Sequence, residues 1–196
     1  SARGKSLTMS LLLRPARREE AVTAAFALAV ARALDQCAGS LFIKWPNDIY
    51  IGGRKLGGIL AEARGEAIVI GLGLNVNEEA ADFSPDLSGA AVSLRMAERK
   101  RFDRGVVLCR ILESFEALQS RFERDGFAPL RAELEARMLH IGETVTIETG
   151  AARHSGVALG VTDEGYIRLA VGGVERVFPS GDLIPREESH GNDSRA

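Results

Sequence analysis

Cysteine is scarce here: Cys37 and Cys109 are the only two among 196 residues. Two thiols exclude a disulfide-stapled scaffold, and each falls in an apolar helical pattern, which predicts reduced, buried, structural side chains in a cytosolic protein. No run of about 18 apolar residues occurs and no signal peptide opens the chain, so a soluble, cytoplasmic protein without membrane contact is expected. The net charge of −2 and pI near 6.0 provide no broad basic surface, which makes nucleic acid an unexpected partner. His140, His154 and His190 share no ligand spacing with one another or with the cysteines, so no metal ligands are expected. No Gly-x-Ser-x-Gly elbow is present. Gly71-Leu-Gly73-Leu-Asn75 lacks the third glycine of a dinucleotide fingerprint and opens no helix. Gly4-Lys5-Ser6 looks like the end of a P-loop, but no strand or earlier glycine stands ahead of it.

What remains is an ordinary globular composition, 45% hydrophobic and 27% charged, long enough for one domain plus a small one. Leu7 to Leu13 reads as a buried strand closed by Arg14-Pro15. Glu19 and Glu20 open a helix whose stripe is Val22, Phe26, Ala29, Val30, Ala33, Leu34 and Cys37, with Gly39 as its stop. Leu41 to Lys44 is a strand ended by Trp45-Pro46. Ile49 to Ile51 and Arg54 to Leu56 flank a Gly52-Gly53 turn, and Gly58 to Ala63 pairs with Ala67 to Leu74 around Gly65-Glu66. Glu78 to Ala91 is a loop. A long helix follows Asp103, carrying Leu108, Ile111, Leu112, Phe115, Leu118 and Phe122 up to Gly126. A shorter helix runs from Pro129 to Met138. Arg121 and Arg124 on the long helix, and Arg131 and Arg137 on the short one, are expected on solvated faces. Beyond His140 the pattern changes to four short β-runs, Thr144–Glu148, Val157–Val161, Tyr166–Ala170 and Val174–Phe178, the mark of a small barrel. The tail has no apolar anchor.

The chemistry concentrates between Ile43 and Asn77. Lys44 and Asp48 straddle Trp45-Pro46-Asn47, and Lys55 follows on the next strand. The plain reading is an exposed ion pair on a turn, worth little. Against it, these charges stand among apolar strands that end on amides and glycines, as the wall of a ligand pocket would. A lysine there acts as a point charge on phosphate or carboxylate oxygens. Gly57 and Gly58 allow close approach to the backbone, and Asn75 and Asn77 offer amides to a base or sugar.

Three segments carry a resemblance: Lys44-Trp45-Pro46-Asn47-Asp48, then Arg54-Lys55-Leu56-Gly57-Gly58-Ile59-Leu60, then Gly71-Leu72-Gly73-Leu74-Asn75-Val76. In order and separation they resemble the signature blocks of the biotin protein ligases. Ser10-Leu11-Leu12-Leu13-Arg14-Pro15 is similar to the strand before that family's first long helix, and the stretch from Gly142 to Leu183 to its SH3-like barrel. The resemblance implies an α+β fold. A mixed, largely antiparallel sheet backed by helices (residues 1–139) would precede an SH3-like barrel (140–186) and a disordered tail (187–196).

It also implies a reaction: biotin is activated by ATP, with Mg²⁺, to biotinyl-5′-AMP, and then passed to a lysine of a biotin carboxyl carrier domain of a carboxylase. By matching position Lys55 is the catalytic lysine and contacts the biotin carboxylate and the α-phosphate. Asp48, Gly57 and Gly58 join it at biotin, while Lys44, Asn47 and Asn75 face ATP or the adenylate. Many members of the family dimerise through sheet edges, which leaves a homodimer open. The resemblance departs at the start of the chain. The family's Ser/Thr-rich Asn block and Gly-Arg-Gly-Arg loop are absent, so an N-terminally incomplete catalytic domain with weakened phosphate contacts is expected. A lipoate or octanoate ligase or transferase of the same fold, or an impaired binding module, are the alternatives.

Overall fold

The computed structural model describes residues 4–14, 21–150 and 152–186. The expected opening of the first helix at Glu19-Glu20, the Pro15 stop and the tail from 187 onward lie outside the described residues.

Two antiparallel five-stranded sheets organise the chain. The first is ordered β1-β5-β4-β3-β2, from β1 (Leu7–Leu13), β2 (Leu41–Lys44), β3 (Asp48–Ile51), β4 (Arg54–Arg64) and β5 (Ala67–Leu74). Its tight turns follow from glycine: Gly52 and Gly53 both take positive φ, 55° and 73°, as a two-residue hairpin loop requires. The two strands expected between Arg54 and Ala63 are one continuous strand. It keeps its path because β3 tracks it only through a bulge, Ile49 pairing with Gly57 and Tyr50 with Lys55.

Helix α1 (Val22–Leu34) lies between this sheet and the long helix α3 (Arg104–Asp125). Its core is wider than a stripe: Ala25, Phe26, Ala27, Leu28, Ala29, Val30 and Ala31 are all fully buried. Small side chains let both layers close on it. Phe26 meets Phe115 edge-on at 4.9 Å, and Ser114 Oγ donates to Ala29 O. The helix ends at Leu34, before the expected Gly39, and Cys37 is only half-buried beyond it. Cys109 is exposed, contrary to expectation. It stands two residues from buried Val107, about 200° around the helix and therefore toward water.

The sequence pattern did not reveal α2 (Leu94–Glu98), a five-residue helix capped by Ser93, because one turn has no period to read. The long helix follows Asp103 as expected, and Asp103 caps it, its carboxylate accepting from the N–H groups of Gly105 and Val106. The short helix is α4 (Ala128–Glu135). Arg137 lies past its end and is no solvated face. It is half-buried and pairs with Asp35 at 2.6 Å, while its carbonyl accepts from Ile43 N–H beside β2.

The second sheet runs β10-β6-β7-β8-β9, from β6 (Thr144–Thr149), β7 (Ala152–Val161), β8 (Ile167–Val171), β9 (Val174–Phe178) and β10 (Asp182–Pro185). It is SH3-like as expected, with one strand more than the four β-runs. Trp45 is the joint to this sheet: its ring is buried and Nε1 donates to Gly165 O at 3.0 Å. Glu135 adds a second link, accepting from Val161 N–H at 2.8 Å. Among the described residues no helix is long and apolar enough to cross a membrane.

Candidate active site

A cavity of about 750 Å³ opens where β4 and β5 meet the segment ahead of β1 and the loop after β5. Four expected residues line it together: Lys55, Gly57, Gly58 and Asn75. The bulge, in which Leu56 is the extra residue between the Ile49–Gly57 and Tyr50–Lys55 pairs, sets Lys55 and Gly58 on one face: a Cβ on Gly58 would lie 3.8 Å from Lys55 Cε, because a bulge re-aims side chains that regular alternation would separate.

The backbone of Lys55 is held on both sides. Its N–H donates to Ala90 O and its carbonyl accepts from Val92 N–H, each at 2.9 Å. Its ammonium meets Asp48 Oδ2 at 2.6 Å, and the two side chains remain 46% and 23% exposed. Asp48 therefore reaches the site through Lys55. Its cross-strand register partner is Lys44, at the last pair of β2 and β3.

Lys44 and Asn47 do not line the cavity. Asn47 is tied to Ile59 in both directions, Nδ2 donating to Ile59 O at 2.8 Å and its carbonyl accepting from Ile59 N–H at 2.9 Å. Asn77 is likewise committed: its amide exchanges two hydrogen bonds with the backbone of Phe102. It holds the turn before α3 and does not line the cavity. Asn75 uses Nδ2 on Val92 O at 3.1 Å while still lining the cavity.

The glycines divide by cause. A Cβ on Gly57 would run into the carbonyl oxygen of Gly73 and lie 3.1 Å from Leu74 Cα, so strand packing demands that glycine. A Cβ on Gly58 would stand 3.1 Å from Asp48 Oδ1, crowding the Lys55–Asp48 pair. One on Gly73 would meet nothing within 4 Å, so Gly73 leaves the cavity wall bare.

Sequence reasoning missed the opposite wall, Ser6, Glu78, Asp82 and Ser84 among others. Lys5 Nζ binds Asp82 at 2.6 Å. A hydrogen bond from Glu79 N–H, and then the Lys5 ammonium, hold the Asp82 carboxyl below its ordinary value. Asn77 N–H donates to Lys5 O, and Glu78 accepts from Ser6 Oγ. Residues 5 and 6 are thus fastened to residues 77–82. Partners more than 70 positions apart leave no local pattern; the one legible signal is the Glu78-Glu79 pair after Asn75-Val76-Asn77, just beyond the apolar, glycine-rich strand β5.

Arranged this way, the cavity offers a cation on one strand, bare glycine backbone beside it, an amide at the strand end and carboxylates across the opening. Such a site can hold an extended ligand with an anionic centre and a donor-bearing group.

Residues 1–75 match the model of the family described as the biotin/lipoate A/B protein ligase family. Residues 140–184 match the biotin protein ligase C-terminal domain. The bifunctional ligase/repressor BirA of Bacillus subtilis is 35% identical over 193 residues, covering 93% of this chain and 59% of that protein. The biotin--[acetyl-CoA-carboxylase] ligase of Paracoccus denitrificans is 32% identical over 154 residues, 75% of this chain and 64% of its own length. The chain thus spans roughly three-fifths of these relatives. The crystal structure of biotin protein ligase from Aquifex aeolicus superposes with a TM-score of 0.85 at 25% identity, covering 92% of this chain and 82% of that one. The same protein in complex with biotin and ATP gives 0.81, with coverage of 91% and 77%.

Proposed function

We propose that this chain, whose residues 1–75 match the biotin/lipoate A/B protein ligase family and residues 140–184 a biotin protein ligase C-terminal domain, activates biotin with ATP and transfers it to a lysine of a carrier domain in a biotin-dependent carboxylase, in the cytoplasm. The observation that carries this reading is the cavity in which Lys55, Gly57, Gly58 and Asn75 stand together.

In the first step a biotin carboxylate oxygen attacks the α-phosphorus. An acyl–phosphate bond forms, the bond to the β-phosphate oxygen breaks, and pyrophosphate leaves. Two anions must meet, and negative charge grows on the α-phosphate oxygens. Lys55 supplies the offsetting cation, where charge develops. Asp48, bonded to Lys55 Nζ, positions that ammonium by restricting its rotamers. The bare backbone at Gly57, Gly58 and Gly73 lets the ligand lie flat on the sheet, and the Asn75 end receives the adenosine. In the second step the ε-amine of the carrier lysine attacks the acyl carbon, forming the amide and releasing AMP.

The reading includes Mg²⁺, which would neutralise triphosphate charge when bound. Such an ion would be carried on phosphate oxygens with waters, and the chain's own part remains binding and orientation.

The test is a single-turnover assay of the chain with labelled ATP, biotin and Mg²⁺, with Lys55→Ala beside it. Biotinyl-adenylate that forms and falls by about a hundredfold or more in Lys55→Ala supports the proposal. No adenylate and no biotin-dependent rise in melting temperature would refute it. A rise with lipoate or octanoate in place of biotin would move the substrate to the other branch of the family.

A further inference from the structure

Glu78 is out of place in a pocket for two anions. It lines the cavity and is one of two buried polar or charged residues among those described, only 2% exposed. Oε1 accepts from Ser6 Oγ, and the Glu78 carbonyl accepts from Ser93 Oγ at 2.6 Å. Oε2 has no hydrogen-bond partner among the described residues. A carboxylate oxygen removed from water is costly unless a donor meets it, and functional sites are where such debts are left standing. The ligand part that faces it cannot be a phosphate or the biotin carboxylate, since like charges repel. Those belong at Lys55, on β4. What suits Glu78, at the end of β5 just past Asn75, is a neutral group rich in N–H or O–H.

We propose that Glu78 is a specificity-determining residue whose free carboxylate oxygen accepts a hydrogen bond from the nucleoside half of the nucleotide. This rests on the reading above. Two donors have the required chemistry, the exocyclic amine of adenine and a ribose hydroxyl. If the amine is read, a base with a carbonyl in its place is rejected, because two acceptors then face each other. The same residue turns the triphosphate away from this end and toward Lys55, giving the cavity a direction.

Equilibrium binding to the full chain tests this without turnover. ATP is compared with inosine triphosphate, which carries a carbonyl instead of the amine, and with 2′- and 3′-deoxy-ATP. Wild type, Glu78→Gln and Glu78→Leu are measured, with the melting temperature of each followed with and without biotin. The expected result is that the wild type prefers ATP over at least one analogue by about tenfold to a hundredfold. Which analogue fails identifies the donor. Glu78→Leu loses that preference and binds ATP correspondingly more weakly, while its ligand-free melting temperature stays level or rises because an unpaired buried oxygen is gone. Glu78→Gln keeps an acceptor and falls between. Equal wild-type affinity for all four nucleotides, no nucleotide binding at all, or tighter ATP binding by Glu78→Leu would each overturn the inference. The biotin-dependent melting shift is independent of Glu78, so its presence or absence reports on the wider function separately.

Discussion

At the scale of single residues, the two central glycines of the cavity wall do different work, and substitution separates them. Gly57→Ala places a methyl against the backbone of Gly73 and Leu74, where no side chain can move aside. It should cost roughly 1–3 kcal/mol, as overpacking does, read as a lowered midpoint in urea. Gly73→Ala meets open space and has no positive φ to oppose it, so stability should stay within about 0.5 kcal/mol. Ligand binding should weaken all the same, because the methyl stands where biotin or nucleotide would lie. Lys55, Gly57, Gly58 and Asn75 were legible as a pocket because the chemistry that needs them leaves charged, glycine and amide residues among apolar strand pieces. Asn77 had the same appearance. Its amide is spent on Phe102, a partner that no spacing announces.

At the scale of elements, α1 and α4 are joined by charge as well as by packing. Arg32 pairs with Glu133, Nε to Oε1 at 2.6 Å, and Arg137 bridges Asp35. The hydrogen bond from Arg32 holds the Glu133 carboxyl below its ordinary value of 4.5. The unfolded chain therefore binds that proton more readily than the folded one, and the pair's stabilisation is complete above about the unfolded value and lost as pH falls through the folded one. Glu133→Gln should lower stability near neutrality by roughly 0.5–1 kcal/mol, since both side chains are about one-third exposed and screened. That difference should shrink toward zero as thermal melts are taken from pH 6 to below pH 4. The strands, α1, α3 and α4 were readable from apolar period and from Gly and Pro punctuation. The single turn of α2 and the strand β10 were not, being too short to show a period.

At the scale of the whole molecule, Trp45 joins the two sheets. In sequence it stands inside the Lys-Trp-Pro-Asn-Asp block, between the candidate site residues Lys44 and Asn47. In space its indole leaves the cavity and reaches the turn between β7 and β8, where Gly165 also packs on Ala21 and Ala24 at the start of α1. Trp45→Phe keeps an aromatic ring but orphans the Gly165 carbonyl. We expect a loss of about 1–2 kcal/mol in global stability, with biotin-dependent stabilisation retained. Loss of the biotin response at unchanged stability would return Trp45 to the site.

The sequence by itself determined the sheet-then-barrel plan, the order of the longer elements, the resemblance to the biotin protein ligases and the strand-borne half of the cavity. Each of these is written in local terms: alternation, helical period, turn glycines, and short blocks whose residues are near neighbours along one or two strands. Only the tertiary structure decided the facing wall. Lys5 with Asp82, Ser6 with Glu78, Asn77 with Phe102 and Trp45 with Gly165 are pairs from distant parts of the chain. Their partnership depends on how the sheet, its loop and the barrel come together, and a side chain's sequence neighbourhood holds no record of it.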